Sequence, residues 1–335
     1  MNYTEDRPLS KKQKEEYVNG LDLILKRRQE EAKNIRKEYI KDIFSSPEKY
    51  REDFRRMLGW PLADYNSNWE TKVKEEKLFE DKTHECFRMS FEVLEGLTLS
   101  GLFFKAKGEE KKPLVLVQHG GLGTPEFISG FYGSTSNYND ILTRVQKHGV
   151  HVFALQLLLW DKLSYEVDFD RESLDARLKR VGSSITAIEV FALTKIMDFF
   201  EEKPCVKNFG MVGMSYGGFY TLFTTALDTR IKSAVSCSFF NSRDNVGWSD
   251  WVWQNSAFMF DDAQVACLIY PRRIHLAIGD KDDLFNHEYS SESFEEIKKI
   301  CENVGTDWVK LQIYNGAHEF IKDDEAIETL INDLI

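Results

Sequence analysis

Beyond residue 112 the chain alternates short apolar runs with stretches of helical periodicity, a rhythm that few architectures accommodate. A run at 113–118 precedes a helical stretch near 137–148 that stops at Gly149, and a run at 150–159 precedes one from about 173 to 202, closed by Pro204. Residues 207–213 lead through a tight turn into a helix reaching about 227. Further apolar runs stand at 231–236, 274–279 and 308–314, the last two each followed by a helix. Strands separated in this way by crossover helices form a mostly parallel sheet with helices on both faces. Upstream, 86–94 and 97–106 flank Gly96 and predict an antiparallel pair that opens the sheet. The predicted fold class is α/β, and the ligands of such sheets collect at the strand C-termini.

Four of those strand ends carry residues that can do chemistry. Gly213-Met214-Ser215-Tyr216-Gly217 joins a strand to a helix. A serine on so sharp a turn is lifted clear of the sheet, and glycines on either side leave room for the strained backbone. The run at 274–278 ends in Gly279-Asp280-Lys281-Asp282-Asp283, and the run at 308–314 ends in Asn315-Gly316-Ala317-His318. An alcohol, a carboxylate and an imidazole on one rim are the parts of a proton relay, in which the imidazole takes the hydroxyl proton and the acid orients the ring. On the residues alone Asp280, Asp282 and Asp283 compete for the acid role. The fourth end, Gln118-His119-Gly120-Gly121-Leu122-Gly123, places bare amides where a substrate oxygen could approach, and His119 is expected to prop that loop.

The segments "QHGGLGTPE", "GMSYGG", "GDKDDLF" and "GAHEF" resemble the successive motifs of α/β-hydrolases of the acetyl xylan esterase and dienelactone hydrolase group, over roughly residues 85–335. The resemblance implies an α/β-hydrolase domain at 66–335 behind an N-terminal helical extension at 1–65. It implies Ser215 as nucleophile and His318 as base, and it selects Asp282 as the acid. The oxyanion would meet the backbone N–H of Tyr216 and that of Gly121, with Leu122 as the alternative second donor. The implied activity is a serine carboxylic ester hydrolase working through an acyl-enzyme, with a carbohydrate acetyl ester as the suggested substrate. "GMSYGG" is also similar to prolyl oligopeptidase-type peptidases, which makes a peptidase or amidase the first rival; a catalytically silent binding protein is the second.

Between 237 and 272 lies an insertion rich in aromatic residues. Its Trp248, Trp251 and Trp253, together with Trp160 past an earlier strand end, are candidate pocket walls for a small-molecule or oligosaccharide ester. The same rings could equally form a satellite core under a long loop. Ahead of residue 65, Ser10 with Gln13 reads as a capping box, and a second helix has Ser46 as N-cap, Pro47 in its first turn and Gly59 past its end. Those helices are expected to cover the hydrolase; an oligomer interface, if there is one, is expected there.

The net charge of −11 and the lack of a basic cluster interleaved with aromatics argue against nucleic acid as a partner. Seven histidines contain no metal-ligand spacing, so no metal or cofactor is expected. Five scattered cysteines without a Cys-x-x-Cys pair suit a reducing compartment. With no signal-like N-terminal segment and no apolar stretch long enough to span a bilayer, the expectation is a soluble, cytoplasmic protein with no membrane partner.

Overall fold

The computed structural model describes residues 2–64, 69–160 and 168–335. Helices α1 (Arg7–Tyr39) and α2 (Pro47–Leu58) precede strands β1 (Lys72–Glu80), β2 (His84–Leu94) and β3 (Leu97–Ala106). There follow β4 (Lys112–Gln118), α3 (Pro125–Ile128), α4 (Ile141–Gln146), β5 (His151–Leu155), α5 (Arg171–Lys179) and α6 (Ile185–Glu201). Ser215 stands between β6 (Val206–Met214) and α7 (Tyr216–Leu227), which are continued by β7 (Ile231–Cys237) and α8 (Asp262–Cys267). The chain closes with β8 (Arg273–Gly279), α9 (His287–Ile300), β9 (Val309–Tyr314) and α10 (Glu325–Leu334).

The strands form one sheet in the order β1-β2-β3-β5-β4-β6-β7-β8-β9. The pairings from β5 through β9 are parallel, whereas β1 with β2, β2 with β3 and β3 with β5 pair antiparallel. The central parallel strands are apolar almost end to end because helices cover both their faces. Ile141, Leu142 and Val145 of α4 and Leu330, Ile331 and Leu334 of α10 fill one face; α6, α7 and α9 fill the other, with Phe191, Phe219 and Ile297 at their contacts.

Helix α2 belongs to this second layer. Phe54 meets the Phe223 ring at 4.9 Å, and Arg51 caps the end of α7 by donating to the carbonyl of Ala226 at 3.0 Å. Arg36, near the end of α1, donates to the Ala257 carbonyl at 2.7 Å and so ties α1 to the insertion, while residues 2–19 are exposed.

Several boundaries differ from the sequence reading, each for a local reason. The charged strand β1 escapes a pattern search because it is an exposed edge, and its lysines and glutamates blunt that edge against further pairing. The single helix expected over 173–202 is two, broken at Gly182 with φ +76° and restarted by the Ser184 side chain, which accepts from Ala187 N–H. The helix expected over 137–148 shrinks to α4 after a short 3-10 turn at Ser136–Tyr138. The strand expected to reach 159 stops at Leu155, where the pairing with β3 ends at Gly101. At the N-terminus α1 starts at Arg7, so Ser10 is inside the helix and caps nothing. No described helix is long and apolar enough to cross a membrane.

Candidate active site

Ser215 sits between β6 and α7 at φ 57°, ψ −123°, a backbone conformation that a residue with a side chain adopts only under strain. The surrounding contacts hold it there. Ser215 N–H donates to the Cys237 carbonyl at 2.9 Å, and Phe219 N–H donates to the Ser215 carbonyl at 2.9 Å. Gly213 and Gly217 are obligatory for the turn: a Cβ at the first would lie 2.2 Å from the Gly217 carbonyl oxygen, and one at the second 2.2 Å from that of Gln118. The hydroxyl is presented at the rim, with the residue 8% exposed.

The loop after β4 lies directly against the serine. A Cβ at Gly120 would come within 2.8 Å of Ser215 Cβ and 3.4 Å of its Oγ. His119 holds this loop from beneath: its Nδ1 is 2.9 Å from the Gly120 carbonyl, and its Nε2 accepts from Leu157 N–H at 3.0 Å. That pattern calls for a neutral ring protonated on Nδ1, and burial pushes the imidazole down to about 4. Tyr138, which the sequence does not flag, adds a second brace. Its hydroxyl accepts from Gly120 N–H at 2.9 Å and donates to the Gly121 carbonyl at 3.3 Å. The N–H groups of Gly121 and Tyr216 have no hydrogen-bond partner among the described residues, and Tyr216 opens a helix whose dipole favours negative charge at that end.

The three aspartates after β8 separate cleanly by geometry. Asp282 Oδ2 accepts from His318 Nδ1 at 2.9 Å, while its Oδ1 accepts from the N–H groups of Leu284 and Phe285 at 2.9 and 3.0 Å. Asp280 instead fastens the neighbouring loop through Gly316 N–H at 3.1 Å, and Asp283 is exposed. The His318 ring stacks on Phe285 with centroids 5.8 Å apart. Its loop is tied towards the serine, since Ser238 Oγ and Tyr314 Oη both donate to the Glu319 carbonyl beside Cys237. Ser215 Oγ and His318 Nε2 have no hydrogen-bond partner among the described residues and so are not hydrogen-bonded to each other.

The four tryptophans split into two pairs. Trp160 lies over the loop after β4, 3.0 Å from where a Gly121 Cβ would be, and packs on Tyr216 and Trp248 at 4.7 and 5.9 Å. Trp248 bridges Tyr216 and Phe285. Trp251 and Trp253, read from the sequence as candidate pocket walls or as a satellite core, are both buried. Trp251 is stacked on Phe219 at 5.0 Å beneath Tyr216, and Trp253 is wedged against Phe223, Arg243 and Lys179. The insertion folds down onto α7, so its largest apolar surfaces go into the core.

Behind Tyr216 lies a buried ionic cluster. Arg171 Nε donates to Asp250 Oδ2 at 2.8 Å, and another guanidinium nitrogen donates to Tyr220 Oη at 2.8 Å. Glu189 stands 3.5 Å from the same guanidinium and accepts from Tyr220 Oη and Leu158 N–H. Tyr216 Oη donates to Asp250 Oδ2 at 2.9 Å, so the residue after Ser215 is anchored through its phenol.

The fold has counterparts among solved structures. The chain is similar to a glucuronoyl esterase from Solibacter usitatus (TM-score 0.60, 12% identity, 80% of this chain and 86% of that one). It is similar to acetyl xylan esterase 1 from Thermoanaerobacterium sp. JW/SL YS485 (TM-score 0.59, 14% identity, 86% and 93%). An acetyl xylan esterase from Paenibacillus sp. R4 is also similar (TM-score 0.58, 17% identity, 84% and 93%). The chain has the α/β-hydrolase fold. No protein-family model matches the chain, and no curated protein is similar to it in sequence. Ser215 follows β6, Asp282 follows β8 and His318 follows β9, all at the C-terminal edge of the parallel strands.

Proposed function

We propose that the chain is a serine carboxylic ester hydrolase acting through an acyl-enzyme. The observation that carries this reading is the 2.9 Å bond between His318 and the buried Asp282, on the rim where Ser215 stands in a strained backbone conformation. His318 Nε2 takes the Ser215 proton as Oγ bonds to the ester carbonyl, then returns it to the departing alkoxide. Water, activated by the same ring, clears the acyl group from Ser215. Asp282 holds the Nδ1–H tautomer and offsets the imidazolium charge without itself taking the proton. The unpartnered N–H groups of Tyr216 and Gly121 are the proposed donors to the tetrahedral oxyanion. The names of two acetyl xylan esterases that share the fold support a carbohydrate as the alcohol of the ester. No step calls on a metal or a cofactor.

The test is turnover of p-nitrophenyl acetate and of the matched acetanilide by the wild type, Ser215→Ala and His318→Ala. The ester should be cleaved, and each substitution should cost about 10⁴-fold or more in kcat. Wild-type rates in Ser215→Ala would overturn the reading. Faster cleavage of the anilide than of the ester would favour the peptidase or amidase alternative, and absence of any turnover would favour the binding-protein alternative.

A further inference from the structure

A cavity of about 740 Å³ lies on the same rim, one strand beyond the oxyanion loop, and the catalytic residues do not line it. Its walls are Leu97 and Leu99 at the start of β3, Leu158 after β5, Leu174 and Leu178 of α5, and Ile188 of α6. Strand β3 runs antiparallel to β5, so its first residues stand at the sheet edge where the parallel strands end. The volume is inside the range of about 300–1,000 Å³ typical of small-ligand sites, and the walls are largely aliphatic, as such sites are. The charged groups on the wall are already engaged. Glu189 is held by Leu158 N–H, Tyr220 and Arg171, and Glu126 is paired with Arg88.

The cavity is joined to the oxyanion loop by shared residues. Thr124, four residues after Gly120, forms part of its wall. Gln156, also in the wall, is 3.4 Å from His119 Nε2, and Leu157 donates to the same nitrogen.

We propose that this cavity houses the acyl chain of the substrate, and that the ester therefore carries an extended apolar acyl group rather than acetyl alone. This rests on the serine esterase reading above. Strand order decides which half of the ester faces the cavity. In acylation Ser215 Oγ bonds to the carbonyl carbon, the bond from that carbon to the alcohol oxygen breaks, and the alkoxide leaves with the proton that His318 took from Ser215. The alcohol must therefore lie on the side of His318, which follows β9, three strands from β6 in one direction. The cavity is bounded by β3 and the end of β5, on the opposite side of β6 beyond β4. The half that remains on the serine is the half that faces the cavity.

The experiment measures kcat/KM for p-nitrophenyl acetate, butyrate and octanoate, beside butyl and octyl acetate, with the wild type, Leu99→Trp and Leu174→Trp. Full burial of a methylene corresponds to about fourfold in binding, so kcat/KM should climb roughly two- to fourfold per added acyl carbon. Lengthening the alcohol should do far less. Filling the cavity from either wall should collapse the octanoate-to-acetate ratio about tenfold or more, and the two walls are independent should one variant fold poorly. Calorimetric binding of dodecanoate to Ser215→Ala, weakened by the same tryptophans, is the readout that does not depend on turnover. Preference for acetate with no dodecanoate binding would overturn the assignment and leave the esterase reading standing. Failure to cleave any ester would overturn the esterase reading and this inference together.

Discussion

Replacing Arg171 with methionine should expose how much the active-site floor depends on one buried cation. The Arg171 and Asp250 side chains are fully buried, and Glu189 is 3% exposed. Without the guanidinium, Asp250 keeps one donor, the Tyr216 phenol, and Glu189 keeps Tyr220 and Leu158 N–H. Removing one partner of a buried ion pair costs about 3–5 kcal/mol, because the charge left behind has lost its water and its counterion. An unfolding entropy of about 2.1 cal/mol/K per residue gives roughly 0.7 kcal/mol/K for a chain of 335 residues, so the midpoint should fall by about 4–7 °C. The loss should deepen as pH rises. Burial already raises the Glu189 carboxyl above its ordinary value of 4.5, and a carboxyl that binds its proton more tightly when folded loses stability once the unfolded chain ionises. Differential scanning calorimetry of the wild type, Arg171→Met and Arg171→Lys at two pH values is the assay, and lysine should recover part of the loss. An Arg171→Met midpoint within about 1 °C of the wild type would refute the reasoning.

Two further outcomes follow from the oxyanion loop. Tyr138→Phe leaves Gly120 N–H without its acceptor, so it should cost about 1–3 kcal/mol in urea denaturation and lower kcat/KM for small esters by about tenfold through the slackened Gly121. Buried His119 is held down to about 4 in the folded chain against 6.5 for a free imidazole. The unfolded state thus binds the extra proton first, and stability should fall as pH drops from 6.5 towards 4, by up to about 3 kcal/mol, with His119→Gln showing a shallower slope.

The parts of the site that were legible in sequence are those where the backbone dictates the residue. Gly213 and Gly217 are forced by carbonyls 2.2 Å from where a Cβ would stand, so the turn around Ser215 announces itself. The βα alternation was readable for a similar reason, since doubly covered strands are continuously apolar. What stayed hidden depends on contacts between residues distant along the chain. Trp248 and Trp251 are three residues apart and alike in type, yet one borders the rim and the other lies in the core; which does which is decided by how the insertion lands on α7. Arg171 opens a charged, surface-like helix, and its partners Glu189, Tyr220 and Asp250 come from three other segments. Strand β1 has the composition of a loop, and only its pairing with β2 makes it a strand. The break at Gly182 did leave a signal, in Ser184 placed to cap the following helix.

The central claim is that Ser215 becomes the acyl carrier. Incubating the protein with a fluorophosphonate and mapping the adduct by mass spectrometry tests it directly. One equivalent on the peptide containing Ser215, absent in Ser215→Ala and much slower to form in His318→Ala, is the predicted result. No adduct, or labelling at another residue with Ser215→Ala labelled at the wild-type rate, would contradict it.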